Sequence, residues 1–138
     1  MALTDWYCED VLSGKLAVLK VFEDDRVLAF HHPRPARPIH VVVIPKAHVP
    51  SLLDERALDG ELLAAMVSAI QHVARALGLD VPQADRPRGF YVRANAAAPG
   101  VTPHMHWHIL APGAGAEWPE NSARCRRTAR LKDARFGG

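Results

Sequence analysis

The chain has 138 residues, 49% of them hydrophobic and 23% charged, and its 17 basic and 15 acidic side chains give a formal charge of +2. These values fit one ordinary globular domain and exclude an intrinsically disordered chain. The longest strongly apolar stretch, residues 41–44, is far short of the roughly 20 residues that cross a bilayer. No membrane partner is expected. The first residues carry no basic and apolar leader, and two cysteines, Cys8 and Cys125, are too few for a disulfide framework. A cytoplasmic location is the resulting expectation.

Residues 5–12 have mixed polarity and end at Ser13-Gly14, which predicts a short helical turn and a break. Two β-prone runs, residues 16–22 and 26–30, flank the polar hinge Glu23-Asp24-Asp25 and predict a hairpin. Pro33, Pro35 and Pro38 bar regular structure before a third strand at 39–44, which Pro45 stops. Asp59 is a candidate N-cap for one long helix that runs to about Leu77 and is closed by Gly78. Leu62, Met66, Ile70, Val73 and Leu77 recur at three and four residues and form one apolar stripe, with His72 beside it on the surface. A polar loop at 80–89 precedes strands at 90–94 and 105–110. The order predicts an α+β domain: an antiparallel five-stranded sheet covered on one side by the long helix, with a short N-terminal helix.

The domain is expected to span residues 1–123. Residues 124–138 form a basic tail with six Lys or Arg and one Asp. A segment so charged, with only Leu131 and Phe136 large and apolar, cannot build a core. A solvated terminus is therefore expected, and nucleic acid is not the expected partner.

Five of the eight histidines fall in two places. The run His104-Met105-His106-Trp107-His108 puts three imidazoles at alternate positions, so on a strand all three share one face. Met105, Trp107 and Ile109 take the other face, against the helix. Three polar rings in an otherwise apolar strand cost desolvation unless something uses them. Metal binding and nucleophilic catalysis at phosphorus are the two chemistries that suit such a row.

The spaced histidines, with apolar residues between and after them, resemble the signature of the histidine triad (HIT) superfamily. The resemblance extends to the strand-turn-strand at 21–30, to Pro38-Ile39-His40 followed by Pro45-Lys46-Ala47-His48, and to Trp118-Pro119, which is similar to the Hint branch of nucleoside phosphoramidases. It covers roughly residues 5–120 in order. The resemblance implies a HIT-like fold and a hydrolase or transferase acting on a nucleotide α-phosphate. In that reading His106 is the nucleophile and forms a nucleotidyl-histidine intermediate. His104 and His108 flank it, His108 binds phosphate oxygens or assists the leaving group, and His40 orients a neighbouring imidazole. Asn95, His106, His108 and His32 would contact the nucleotide.

Two departures stand out. His32 follows Phe30-His31 where the Hint branch has an aspartate for the ribose hydroxyls, and Val101 stands where a side-chain hydroxyl is usual. The implied partners are a purine nucleotide or nucleotidyl substrate and a second copy of the chain in a homodimer. The chemistry requires no cofactor, because imidazoles and backbone donors suffice at the phosphate.

Three alternatives stand beside this reading. One is a dinucleoside polyphosphate hydrolase. Another is a nucleotide-binding module with little turnover. The third is a metal-binding protein using the triad face. Separately, some HIT proteins carry a structural zinc on a Cys-x-x-Cys pair and two histidines. The corresponding set here is Asp5, Cys8, His48 and His104, a lesser alternative because one thiolate is replaced by a carboxylate.

Overall fold

The structure, a computed structural model, describes residues 5–83 and 86–113. The basic tail, Trp118-Pro119 and Cys125 lie outside the described residues. Among the described residues there are seven strands: β1 (Lys20–Glu23), β2 (Val27–His31), β3 (Ile39–Pro45), β4 (Pro82–Gln83), β5 (Arg86–Pro87), β6 (Tyr91–Ala94) and β7 (Trp107–Ala111). Five of them form one antiparallel sheet in the order β1-β2-β3-β7-β6, and β4 and β5 form a separate two-residue ladder inside the loop expected at 80–89. One long helix, α1 (Gly60–Ala76), crosses the sheet, preceded by a 3₁₀ turn at Glu55–Leu58.

Local chemistry sets these elements. The Asp24 carboxylate accepts from the backbone N–H of Arg26 and of Val27, both at 2.8 Å, which closes the β1–β2 hairpin on a polar side chain. Asp59 caps α1 by accepting from the N–H of Glu61 at 3.1 Å and of Leu62 at 3.4 Å. At the other end Gly78 takes φ +69°, its N–H reaches Arg75 O, and the Leu79 N–H reaches Ala74 O at 2.8 Å. That left-handed residue is why glycine ends the helix.

The expected single covered face becomes two. Val27, Ala29, Val41, Val43 and Ile109 meet Met66, Ala69, Ile70 and Val73 of α1 on one side of the sheet. Leu28, Phe30, Val42 and Ile44 meet Tyr7 and Val11 on the other. A π-helical turn at Tyr7–Leu12 supplies that second cover. The run Val41-Val42-Val43-Ile44 is thus continuously apolar because both of its faces are buried. The second face continues towards β7 and β6 as His40 on β3 and His108 on β7, placed there by the same alternation.

The last strand differs from expectation. It begins at Trp107 rather than Met105, so His108 alone of the three histidines lies on it. Upstream, the His104 N–H turns back to Thr102 O and the Met105 N–H bonds Val49 O at 2.6 Å. The chain there is tied to the loop after β3 instead of to the β3 ladder. The first strand shifts further, being confined to Lys20–Glu23 where residues 16–22 are expected, and β6 is exposed along its length. His72 is on the surface as expected, with its ring stacked on Phe22 at 4.5 Å.

Candidate active site

Pairing across the sheet assembles the site. His108 on β7 lies opposite Val42 of β3 on one side and Arg93 of β6 on the other, while His40 lies opposite Leu110. His32 continues β2 and donates its N–H to His40 O at 2.8 Å, so its ring stacks on that of His40 at 4.4 Å. His106 stands just before β7 with its ring perpendicular to that of His108 at 5.1 Å. Asn95, half-buried, is one residue beyond β6, at the register position level with His106. The rings of His32, His40, His106 and His108 are therefore neighbours, and Asn95 follows β6 on the strand beside β7.

The hydrogen bonds assign a proton to each ring. His106 Nδ1 lies 2.6 Å from the carbonyl of His104, which can only accept, so Nδ1 carries the proton and Nε2 keeps a free lone pair. The Ala36 N–H donates to His40 Nδ1 at 3.0 Å. Neutral His40 is thus protonated at Nε2, which donates to His108 Nδ1 at 2.8 Å and leaves the His108 proton on Nε2. One ring presents a nucleophilic nitrogen; its neighbour presents an N–H. The Arg34 N–H likewise donates to His32 Nδ1 at 2.9 Å, which makes His32 Nε2 a donor.

Burial keeps these rings neutral. His40 and His108 are 5% and 7% exposed. Desolvation, then the neighbouring His32 and Arg93, lower the His40 pKa to about 4. Desolvation, then His106, His40 and Arg93, lower that of His108 to about 3. Burial also lowers His106, against the pull of the His104 carbonyl. A neutral imidazole at physiological pH is the form that can attack phosphorus.

His104 does different work. Its Nε2–H donates to Pro45 O at 2.8 Å, which turns the bare Nδ1 towards Asp5 Oδ2 at 2.9 Å and Cys8 Sγ at 3.3 Å. His48 Nδ1 is 2.7 Å from the same carboxylate oxygen. The donor atoms of Asp5, Cys8, His48 and His104 all lie within 4.8 Å of one another. A lone pair facing a carboxylate needs a proton or a cation between them, and this donor set of two nitrogens, a sulfur and an oxygen suits zinc. The three histidines keep the one face expected of them, opposite Met105, Trp107 and Ile109 in the core under α1, and His104 alone of the three also turns to Asp5 and Cys8.

Tyr7 links the two halves. Its ring is 2% exposed and lies 5.8 Å from that of His104 and 5.0 Å from that of His106. Nothing in the turn's mixed polarity marks Tyr7 as a site residue. Arg93 was equally hidden, because its place beside His108 depends on the β6–β7 register.

The family profile described as HIT domain matches residues 14–114. An uncharacterized HIT-like protein of Chlamydia trachomatis is 32% identical over 107 residues, 76% of this chain and 90% of that protein. Among solved structures, a histidine triad protein from Clostridium difficile has a TM-score of 0.69 and 33% identity, covering 86% of this chain and 97% of that one. A HIT family hydrolase from Legionella pneumophila has a TM-score of 0.68 and 30% identity, covering 84% and 98%. The chain belongs to the HIT domain family.

The neutral histidine pair makes stability depend on pH. Between pH 6.5 and about 4 the unfolded chain binds protons at His40 and His108 that the folded chain refuses, so stability falls as pH falls through this window. Urea denaturation at pH 7, 6, 5 and 4 is expected to give a falling midpoint, with a shallower fall in His40→Gln. A pH-independent midpoint contradicts the assignment.

Proposed function

We propose that the protein is a nucleotide hydrolase that works through a nucleotidyl-histidine intermediate, and that its substrates are nucleoside 5′-phosphoramidates. The observation that carries this reading is the His106 ring, held with Nδ1–H on a backbone carbonyl and Nε2 bare, next to the Nε2–H of His108. The similarity to the HIT family hydrolase of Legionella pneumophila supports the same class.

In the first step His106 Nε2 bonds to phosphorus and the bond from phosphorus to the amine nitrogen breaks. One proton, taken up from solvent, goes to that nitrogen and is returned in the second step. In the second step water attacks phosphorus, loses one proton, and the bond from phosphorus to Nε2 breaks, so the sum is addition of one water. The His108 Nε2–H is available to hold a phosphate oxygen as negative charge develops. His40 acts as a positioning residue, since its Nε2–H fixes which nitrogen of His108 is protonated.

His106→Ala is expected to lower turnover of an adenosine 5′-phosphoramidate by a factor on the order of 10³ or more while nucleotide binding persists. Mass spectrometry of the rapidly quenched wild-type protein should reveal a nucleotidyl adduct on His106. Saturable binding with neither adduct nor product would make the protein a binding module instead.

The same proposal includes a structural zinc held by Asp5, Cys8, His48 and His104. Zinc there would cross-link the N-terminal turn to the loop after β3 and to His104, and would supply no step of the reaction. In the metal-free arrangement burial and the Asp5 carboxylate push the Cys8 thiol up to about 11, and a cation opposes both effects. Protein purified without an affinity tag is expected to contain about one zinc per chain, lost in His48→Ala together with a lower Tm. Trace metal only, with a Tm indifferent to chelator, contradicts this.

We also propose that two copies pair through β6, an outer strand of the sheet whose Tyr91 and Val92 are 37% and 46% exposed. Sedimentation at micromolar concentration should give a dimer; monomer alone would refute the pairing.

A further inference from the structure

The bond from His106 Nδ1–H to the His104 carbonyl holds one edge of the imidazole but does not by itself fix its plane. The last torsion of a histidine side chain has a broad, roughly two-fold preference, so further contacts must narrow it. Two neighbouring rings do this. That of His108 stands perpendicular at 5.1 Å, and that of Tyr7 lies at 5.0 Å with the two planes inclined by 38°. His106 is itself only 5% exposed, so these contacts are made inside close packing.

Tyr7 makes no bond in the proposed reaction, yet it is buried beside the nucleophile. Its own position is fixed by packing and by hydrogen bonds. The Trp6 ring lies 4.1 Å from it and the Phe30 ring 6.2 Å. The turn that carries it is closed at Asp5, whose carbonyl accepts from the Glu9 N–H at 2.9 Å and whose Oδ1 accepts from the Cys8 N–H at 3.1 Å. Asp5 Oδ2 faces His104 Nδ1 at 2.9 Å. The ring and the carbonyl that hold His106 are therefore tied to each other, because His104 supplies the carbonyl and also meets the turn. The turn is π-helical from Tyr7 to Leu12, a rare form that often falls at functional sites. A flat ring in this place restrains rotation of the imidazole, whereas an aliphatic side chain only fills space.

We infer that Tyr7 is a positioning residue for His106: its ring keeps the imidazole on the His104 carbonyl and so keeps Nε2 aimed at the reacting phosphorus. This inference rests on the reading of His106 as the nucleophile. Tyr7 takes no part in bond making or proton transfer and acts through the ring beside it. The aromatic ring carries the role, not the hydroxyl.

The test compares Tyr7→Phe, which keeps the ring, with Tyr7→Leu, which removes it. Val11→Ala, in the same turn and the same cluster, controls for loosened packing. With an adenosine 5′-phosphoramidate, Tyr7→Phe is expected to match the wild-type kcat and KM closely. Tyr7→Leu should lose about tenfold or more in kcat with little change in KM, since a small misplacement of a reacting atom is costly. Val11→Ala should lower the Tm and leave kcat unchanged. Long-range ¹H–¹⁵N spectra at pH 7 give a second readout: His106 protonated at Nδ1 alone in wild type and Tyr7→Phe, and a mixture of tautomers in Tyr7→Leu. An unchanged kcat in Tyr7→Leu, a loss confined to KM, or an equal kcat loss in Val11→Ala overturns the inference. So does a Tyr7→Phe variant as slow as Tyr7→Leu. Thermal melts check that each variant folds, and Tyr7→Met, which fills the space flexibly, carries the same comparison if Tyr7→Leu does not. If the wild-type protein hydrolyses no phosphoramidate, the spectra decide alone. A single His106 tautomer in wild type that is lost in Tyr7→Leu sustains the positioning role while the hydrolase reading fails. A tautomer unmoved by Tyr7→Leu overturns the positioning role itself.

Discussion

One hydrogen bond organises the chemistry of this protein: the His106 Nδ1–H donated to the carbonyl of His104 at 2.6 Å. A neutral imidazole has one donor and one acceptor nitrogen, so fixing the donor fixes which nitrogen keeps a lone pair. The acceptor belongs to the backbone, which cannot change its protonation. Its position follows from two further contacts, Met105 N–H to Val49 O and His104 N–H to Thr102 O, that pull this stretch out of the sheet just before β7 begins. In the proposed reaction the irregular segment is therefore what leaves His106 Nε2 with its lone pair. A regular strand would have spent that carbonyl on its ladder.

The rest of the site repeats the device. Ala36, in the proline-rich turn after β2, uses its N–H to set the tautomer of His40, and His40 sets that of His108. An added proton on the pair would have to displace one of these bonds, since every facing nitrogen already has its partner. Burial acts in the same direction. Geometry and desolvation together hold a row of neutral rings where an isolated row of surface histidines would titrate near pH 6.5. The sheet makes this possible because α1 covers one face, while the N-terminal turn covers only part of the other.

Much of this was legible in the sequence, for identifiable reasons. The helix, its Asp59 cap and its Gly78 stop were readable because each is a local device with a specific residue requirement. The order of the strands followed from alternation and turn residues. The meeting of His40 with the triad was implied by resemblance, and its register with Leu110 is what the β3–β7 ladder supplies. The alternation of faces over residues 104–109 was legible, but the start of the strand at Trp107 was not, because the same pattern runs on through His104. The bond between Met105 and Val49, fifty-six positions apart in the chain, ties that stretch to the loop after β3 and leaves no local mark. Tyr7 and Arg93 were hidden for a related reason: their importance lies in long-range packing and register, which leave no local mark.

The central claim is the assignment of protons among the imidazoles, and long-range ¹H–¹⁵N correlation spectra of protein labelled at histidine nitrogen test it most directly. At pH 7 the account predicts His106 protonated at Nδ1 with a bare Nε2, and His40 and His108 each protonated at Nε2. A His106 ring that is protonated at Nε2, or is an imidazolium at that pH, would contradict it.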